Sequence, residues 1–301
     1  MDKIALTTST FAEHDTSPVE LLGKKFELVR NNTGRKLKKE EILRLCSGCI
    51  GIIAGTELYD SDVLRKLSGL RVISRCGTGT GNINLKEAFL LGIRVVNTPD
   101  AATFAVAELT LGIILNLLRK VNTMDRLIRL GQWKKMTGNL LNDKKVGIVG
   151  FGRIGKKVAE LLSPFGCSIA YFDPCQAATK IARRMNLKEL LGWSDIVSLH
   201  VTGGKGIIGE KEIKGMKKGA WLINTSRGEI VDETALYNAL REGQLSGAAC
   251  DVYEKEPYDG PLKELDNVIL TPHIGSYARE SRIQMELEAV SNLLKKLEGE
   301  E

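Results

Sequence analysis

The chain has 301 residues, 43% hydrophobic and 27% charged, with 43 Lys and Arg against 37 Asp and Glu for a net charge of +6. This length allows two domains of ordinary size, each with its own core. No apolar run approaches the roughly 18 residues of a membrane span, and the basic residues are spread rather than blocked, which argues against membrane and nucleic-acid partners while suiting an anionic substrate. From the N-terminus, short apolar runs at 4–6, 26–29, 50–53, 72–74 and 95–96 alternate with helical patterns, as in a parallel α/β sheet. The first run starts so early that no signal peptide is expected. Cys46 and Cys49 have CxxC spacing, but they bridge a helix end and a strand, and no second pair completes a zinc site. With six cysteines and no disulfide-scaffold pattern, a reducing cytoplasm and no metal are expected. Past Pro99, dense apolar residues from 101 to 118 predict a long buried helix.

A second α/β series follows, with strands predicted at 145–149, 168–172, 195–201, 220–224, 247–252 and 268–271. Six strands with helical connections make a doubly wound nucleotide-binding sheet. The first runs into Gly150, Gly152 and Gly155, and the second ends at Asp173, eighteen residues past the last of these glycines. Gly150 permits a tight turn, Gly152 lets the backbone approach a pyrophosphate, and Gly155 lets the helix pack on the strand. The helix N-terminus offers free N–H groups to the phosphates. Asp173 can accept hydrogen bonds from both ribose hydroxyls and would repel a 2′-phosphate, so NAD is expected rather than NADP. The tail from 277 to 297 reads as a helix with Ile283, Leu287, Val290, Leu294 and Leu297 on one face, a stripe for which the first domain is a reasonable surface.

Only His14, His200 and His273 are present, so the search for an acid–base group is short. His273 lies just beyond the last strand, at the edge where ligands gather on such sheets. Arg227 ends another strand and can hold a carboxylate through two parallel hydrogen bonds, with Gly228 after it permitting a sharp turn. The next strand ends in several carboxylates, among them Asp251, Glu254 and Glu256. A glutamate beside His273 would fix its tautomer and stabilise the imidazolium. For His200 a structural role near the cofactor is expected. Cys76 reads as a small space-filler, with a partly activated thiol as the sharper alternative.

Taken together, the segments 75–82, 106–108, 145–157, 224–232, 251–257 and 271–276 make the chain resemble the D-isomer-specific 2-hydroxyacid dehydrogenases over nearly its whole length. The resemblance implies two doubly wound parallel-sheet domains: a Rossmann NAD-binding domain at 99–276, inserted into a flavodoxin-like substrate-binding domain at 1–98 plus 277–301. It implies that Arg227 binds the substrate carboxylate and polarises the C2 oxygen. His273 exchanges the hydroxyl proton, paired with Glu256 rather than Glu254. Arg75 and the backbone of Gly77, Thr78 and Gly79 would cradle the acid. Arg153 and Ile154 would offer backbone to the pyrophosphate, Asp173 would take the ribose, and Thr225, Asp251, Val106 and Gly275 would border the nicotinamide. A small anionic 2-hydroxy or 2-keto acid is the implied substrate, of phosphoglycerate type on overall likeness, with glyoxylate, hydroxypyruvate or D-lactate-type chemistry, or an NAD-sensing regulator, as alternatives. A homodimer is implied, with contacts from the helix at Ala101 through Trp133. Feedback through a regulatory extension is not expected at this length. Two departures stand out. Gly81 and Asn84 replace carboxylates common in relatives, which bears on loop rigidity, and the segment 201–206 is short and glycine-rich, which bears on adenine-side contacts.

Overall fold

The structure is a computed structural model that describes residues 1–176 and 179–299. Residues 177, 178, 300 and 301, which fall within the expected domain ranges, lie outside the described residues. The chain divides into two units, Met1–Ala102 with Ser276–Glu301, and Thr103–Gly275. No helix among the described residues is long and apolar enough to cross a membrane.

The first unit alternates strand and helix: β1 (Lys3–Leu6), α1 (Ser17–Gly23), β2 (Glu27–Arg30), α2 (Lys39–Leu45), β3 (Cys49–Ala54), α3 (Ser61–Lys66), β4 (Val72–Arg75), α4 (Leu85–Leu90) and β5 (Arg94–Asn97). The five strands are parallel in the order β2-β1-β3-β4-β5. Ile4, Ile52, Ile53, Val72 and Ile73 are wholly buried, as expected for strands covered on both faces.

The second unit opens with α5 (Thr103–Arg119) and α6 (Val121–Arg129). It continues through β6 (Lys145–Val149), α7 (Arg153–Leu162), β7 (Ser168–Phe172), β8 (Arg183–Arg184), α8 (Leu187–Trp193), β9 (Ile196–Leu199), α9 (Glu210–Lys214), β10 (Ala220–Asn224), α10 (Glu233–Arg241), β11 (Leu245–Cys250) and β12 (Val268–Leu270). Its sheet is parallel throughout, in the order β12-β11-β10-β9-β6-β7-β8. The sheet has a seventh strand beyond the six expected. β8 consists of two exposed arginines and so carries no apolar signal.

The chain then returns to the first unit as α11 (Arg279–Glu298), which packs on β3, β4 and β5. Its buried face differs from the expected stripe. Val290 and Leu297 are buried as read, but Ile283, Leu287 and Leu294 are only half-buried, and their places are taken by Met285, Ala289 and Leu293. Two contacts set this rotation. Ser74 Oγ donates to the Ala289 carbonyl at 2.7 Å, and Gly51 leaves room for Leu293, which would stand 3.1 Å from a Cβ there. The first turns of the same face bury Arg282 and Glu286.

Candidate active site

The glycine turn of the second unit has three different glycines. Gly150 takes φ +91°, and a Cβ on it would lie 2.5 Å from the His200 carbonyl oxygen. Gly155 lies against the Gly150 carbonyl, so a side chain there would drive α7 off β6. Gly152, the N-cap of the ten-residue α7, has no side-chain cap, and a Cβ on it would meet nothing within 4 Å. Packing therefore requires the outer two, while the middle one leaves open space before an uncapped helix N-terminus. Arg153 and Ile154 form the first turn of α7, the end of a helix whose N–H groups point outward along its axis. This is a cradle for phosphate oxygens.

Asp173 follows β7 beside this turn. Its Oδ2 accepts from Phe151 N at 2.7 Å, and its Oδ1 from Cys175 N at 2.8 Å and Gln176 N at 3.0 Å. Burial works to raise this carboxyl, but the three backbone donors and the charge of Arg184 outweigh it and hold the group below the usual carboxylate range. A fixed, ionised acceptor next to the phosphate cradle fits a ribose. The donors present thus suit a dinucleotide.

Strand order reverses between β9 and β6, and His200 sits there, at the carboxyl end of β9. Its Nε2 is 2.8 Å from Ser198 Oγ, its Nδ1 has no hydrogen-bond partner among the described residues, and burial pushes the imidazole down to about 3. It is a neutral, enclosed group, unsuited to proton transfer near neutrality.

Further along the same edge, three loops converge. His273 is placed just past β12 in a left-handed conformation, φ +55°. Its Nδ1 is 2.9 Å from Glu256 Oε2 and 3.1 Å from Oε1, and both side chains are part-exposed. The structure therefore pairs His273 with Glu256, while Glu254 is held through its backbone N–H by Glu233 at 2.8 Å. Asp251 is 1% exposed and ties the histidine loop down: Thr271 Oγ1 donates to Oδ1 at 2.6 Å, Ile274 N to Oδ1 at 2.8 Å and Gly275 N to Oδ2 at 2.8 Å. A Cβ on Gly275 would come within 3.2 Å of both Asp251 Oδ2 and Val106 Cγ2. Thr225 Oγ1 lies 3.1 Å from Thr110 Oγ1, which in turn donates to the Val106 carbonyl at 2.7 Å. Asp251, Thr225, Val106 and Gly275 are thereby brought together.

Arg227 follows β10, held in place by Asn224. The Asn224 side chain donates to the Arg227 carbonyl at 2.9 Å and accepts from Ser226 Oγ at 2.8 Å. The guanidinium donates to the Ser226 carbonyl at 2.7 Å. Gly228 turns the chain as the sequence suggested, opening a single 3-10 turn at Gly228–Ile230 straight after the extended Arg227. It is required because the Tyr253 main chain passes where its Cβ would be. That contact locks the arginine loop to the loop carrying Glu256. Sequence reading missed Tyr253 itself, whose hydroxyl donates to the carbonyls of Cys250 (2.8 Å) and Thr271 (3.0 Å). A tyrosine after a strand carries no signal for such a role.

In the first unit, the predicted substrate residues follow β4. Arg75 folds its guanidinium onto the Cys76 carbonyl, and Gly77 takes φ +140°, a conformation that calls for glycine. The Gly77 N–H is taken by Thr98 Oγ1 at 2.7 Å, so the expected three-residue cradle reduces to the N–H groups of Thr78 and Gly79. Cys76 is 3% exposed, and burial pushes its thiol up to about 12, which excludes the activated-thiol reading. Asn84 performs the capping a carboxylate would, accepting from Glu87 N at 3.0 Å while donating to Ser61 Oγ at 2.9 Å. Asn82 donates to the carbonyls of Gly55 (3.1 Å) and Glu57 (2.7 Å). The loop is anchored without the missing acids. The 201–206 segment is also anchored, through Gly206 N to the Glu229 carbonyl at 2.8 Å.

Comparison with known proteins agrees with this geometry. Residues 111–275 match the model of the NAD-binding domain of D-isomer-specific 2-hydroxyacid dehydrogenases. The chain is 42% identical to a glyoxylate reductase of Thermofilum pendens, over 81% of this chain and 77% of the relative. It is 38% identical to a D-3-phosphoglycerate dehydrogenase of Methanocaldococcus jannaschii, covering 88% of this chain but 53% of that one. A glyoxylate reductase structure from Paecilomyes thermophila superposes with a TM-score of 0.90 at 30% identity, covering 99% of this chain and 96% of the other. The chain belongs to the D-isomer-specific 2-hydroxyacid dehydrogenase family and is an NAD-dependent oxidoreductase acting on hydroxy or keto acids.

Proposed function

We propose that the chain interconverts a small, unphosphorylated 2-keto acid and its D-2-hydroxy acid, of the glyoxylate and hydroxypyruvate class. The observation that carries this reading is the charge on the loops at the carboxyl edge of the first unit's sheet. The loops after β1, β3, β4 and β5 contain Glu13, Asp15, Glu57, Asp60 and Asp100 and no lysine or arginine, and Arg75 ends β4 just before them. A phosphomonoester dianion needs clustered cations. A single carboxylate needs only backbone N–H groups and one guanidinium. The phosphoglycerate-type reading, favoured on overall likeness and by the Methanocaldococcus relative, is the second reading.

We assign the substrate to the domain of residues 1–98 plus 277–301 and the cofactor to residues 99–276. Bound NAD supplies the two-electron carrier. Because Glu256 occupies His273 Nδ1, Nε2 is the ring atom left to take the hydroxyl proton in oxidation or return it in reduction. Glu256 stabilises the imidazolium that results. In the second unit Arg227 is assigned the carboxylate and the polarising of the C2 oxygen; in the first, Arg75 and the N–H groups of Thr78 and Gly79 are assigned to the same acid. The backbone of Gly150, Gly152, Arg153, Ile154 and Gly155 holds the pyrophosphate, Asp173 the ribose, and Thr225, Val106 and Gly275 the nicotinamide, while Asp251 acts chiefly by fixing the loop of His273.

A homodimer is part of this reading. Helix α6 buries none of its residues, and Val121 (52%), Ile128 (57%), Leu130 (66%) and Trp133 (84%) stand exposed on α6 and the arm that follows. Such an apolar run calls for a partner surface. Sedimentation equilibrium returning a monomer at micromolar concentration would remove it.

The test of substrate is an NADH-oxidation screen over glyoxylate, hydroxypyruvate, phosphohydroxypyruvate, pyruvate and 2-ketoglutarate. Glyoxylate and hydroxypyruvate are expected to lead by about tenfold or more in kcat/KM. A lead for phosphohydroxypyruvate would restore the phosphoglycerate-type reading. Tight NADH binding without turnover of any acid would point to a regulator.

A further inference from the structure

The order β2-β1-β3-β4-β5 reverses direction between β1 and β3, and ligands of such sheets collect outside the carboxyl ends at that reversal. The loops meeting there are 7–16 and 55–60. They touch: a Cβ on Gly55 would stand 3.0 Å from Thr8 Cβ and 3.2 Å from Thr8 Cα. Behind the first loop lies a buried ion pair that no role above absorbs. Arg282 Nη2 and Glu286 Oε1 are 3.1 Å apart, and the two residues are 9% and 2% exposed.

Both partners also reach the loop. Arg282 Nη2 donates to Thr10 Oγ1 at 3.0 Å, and Glu286 Oε2 accepts from Ala12 N at 2.9 Å. Ala12 is held at φ +60°, a conformation that alanine rarely takes without an external hold. A third hold comes from Arg30, whose Nη2 donates to the Phe11 carbonyl at 3.0 Å. The exposed ring of Tyr277 lies 5.6 Å from the Arg282 guanidinium carbon, within cation–π range. A buried charged pair is a poor way to gain stability, since apolar residues of the same volume generally do as well. What it supplies is directed geometry, here at residues 10 and 12.

We propose that Arg282 and Glu286 form a positioning pair that fixes residues 8–12 as one wall of the substrate pocket, and so sets the size of the group accepted on C2 of the keto acid. The inference rests on the 2-keto acid reading above. The pair touches neither cofactor nor reacting atoms; it acts through the loop.

Arg282→Met and Arg282→Lys are compared with the parent on glyoxylate and 2-ketobutyrate, with NADH affinity and amide exchange at Ala12 measured in the same proteins. In Arg282→Met, the preference for glyoxylate in kcat/KM should fall by about tenfold, chiefly through KM, and Ala12 exchange should quicken by about tenfold. NADH affinity should stay within about twofold, and Arg282→Lys should recover most of the preference. An unchanged preference in a folded Arg282→Met protein overturns the proposal, as does an equal loss on both acids. Thr10→Val removes one acceptor on the loop and keeps the ion pair, so it serves if Arg282→Met does not fold. It should shift the preference the same way by about threefold, and no shift again overturns the proposal. Failure of the parent to reduce either acid would sink the 2-keto acid reading, whereas unaltered Ala12 exchange in Arg282→Met would sink the clamp.

Discussion

The carboxyl edges of the two sheets are held by different means. In the seven-stranded sheet the reacting loops are gripped by their main chain: the Asp251 carboxylate gathers the N–H groups of Ile274 and Gly275, and Gly228 lies directly against the Tyr253 backbone. In the five-stranded sheet such grips on main chain, at Ala12 and Gly77, are joined by a cluster of side chains meeting side chains. Thr7 Oγ1 bonds Glu57 Oε2 at 3.0 Å and Tyr59 Oη at 2.8 Å, and Arg282 bonds Glu286 and Thr10. Proton transfer tolerates little misplacement, and main-chain anchoring resists substitution at neighbouring positions. A wall that selects among acids can be re-cut by exchanging a few side chains.

The sharpest way to break the comparison is at the proton-transfer pair. His273→Gln should lower kcat by at least about a hundredfold while leaving NADH affinity nearly intact, because only the Nε2 proton function is lost. Stopped-flow NADH binding beside steady-state turnover separates the two, and retained turnover would remove His273 from the chemistry. Gly228→Ala attacks the main-chain anchoring instead. Its methyl would collide with the Tyr253 carbonyl, so a stability loss of about 3 kcal/mol and a drop in turnover are expected. Denaturant unfolding would show it. A tolerated alanine would mean that the arginine and glutamate loops are free to separate.

Much of the cofactor half was legible because its constraints are local. Gly150 and Gly155 announce a strand, turn and helix through backbone requirements that few residue types satisfy, and Gly152 and the spaced Asp173 complete the motif. The pairing of His273 with Glu256 rather than Glu254 came from family likeness, since spacing alone left both open, and the geometry shows the physical difference between them. What escaped was whatever depended on tertiary contact. The buried face of α11 was drawn through its bulkiest residues, whereas Ser74 and Leu293 turn it by about one residue toward Ala289. Arg282 and Glu286 drew no reading at all, because opposite charges at i, i+4 carry no signal of burial and nothing in the sequence marks the loop from Thr10 to Ala12 that meets them. Gly77 was assigned an N–H for substrate because Thr98, 21 residues away, has no sequence link to it.

Asp173→Ala sharpens the comparison from the cofactor side. It removes the acceptor shared by three backbone donors, so NADH affinity should fall by about tenfold and preference over NADPH should narrow. Fluorescence titration with both cofactors measures this. An unchanged ratio would assign ribose reading to another residue.

The smallest effect concerns His200, the enclosed group at the sheet reversal. Burial holds its imidazole at about 3 in the folded chain against an ordinary value of 6.5, so the folded state keeps it neutral where the unfolded state is protonated. Between those values the unfolded chain binds the additional proton. Stability is therefore lost as pH falls through that window and is unaffected above about pH 7. By pH 5 the full linkage would amount to about 2 kcal/mol, which relaxation around the buried ring should reduce to about 1 kcal/mol. His200→Gln keeps a polar end for Ser198 Oγ and removes the titration. Its fall in Tm from pH 7 to pH 5 should be smaller than the parent's, even if both values at pH 7 are lower. The same fall in both proteins would trace acid sensitivity to another group and leave the main-chain edge of the second unit without a titrating member at its reversal point.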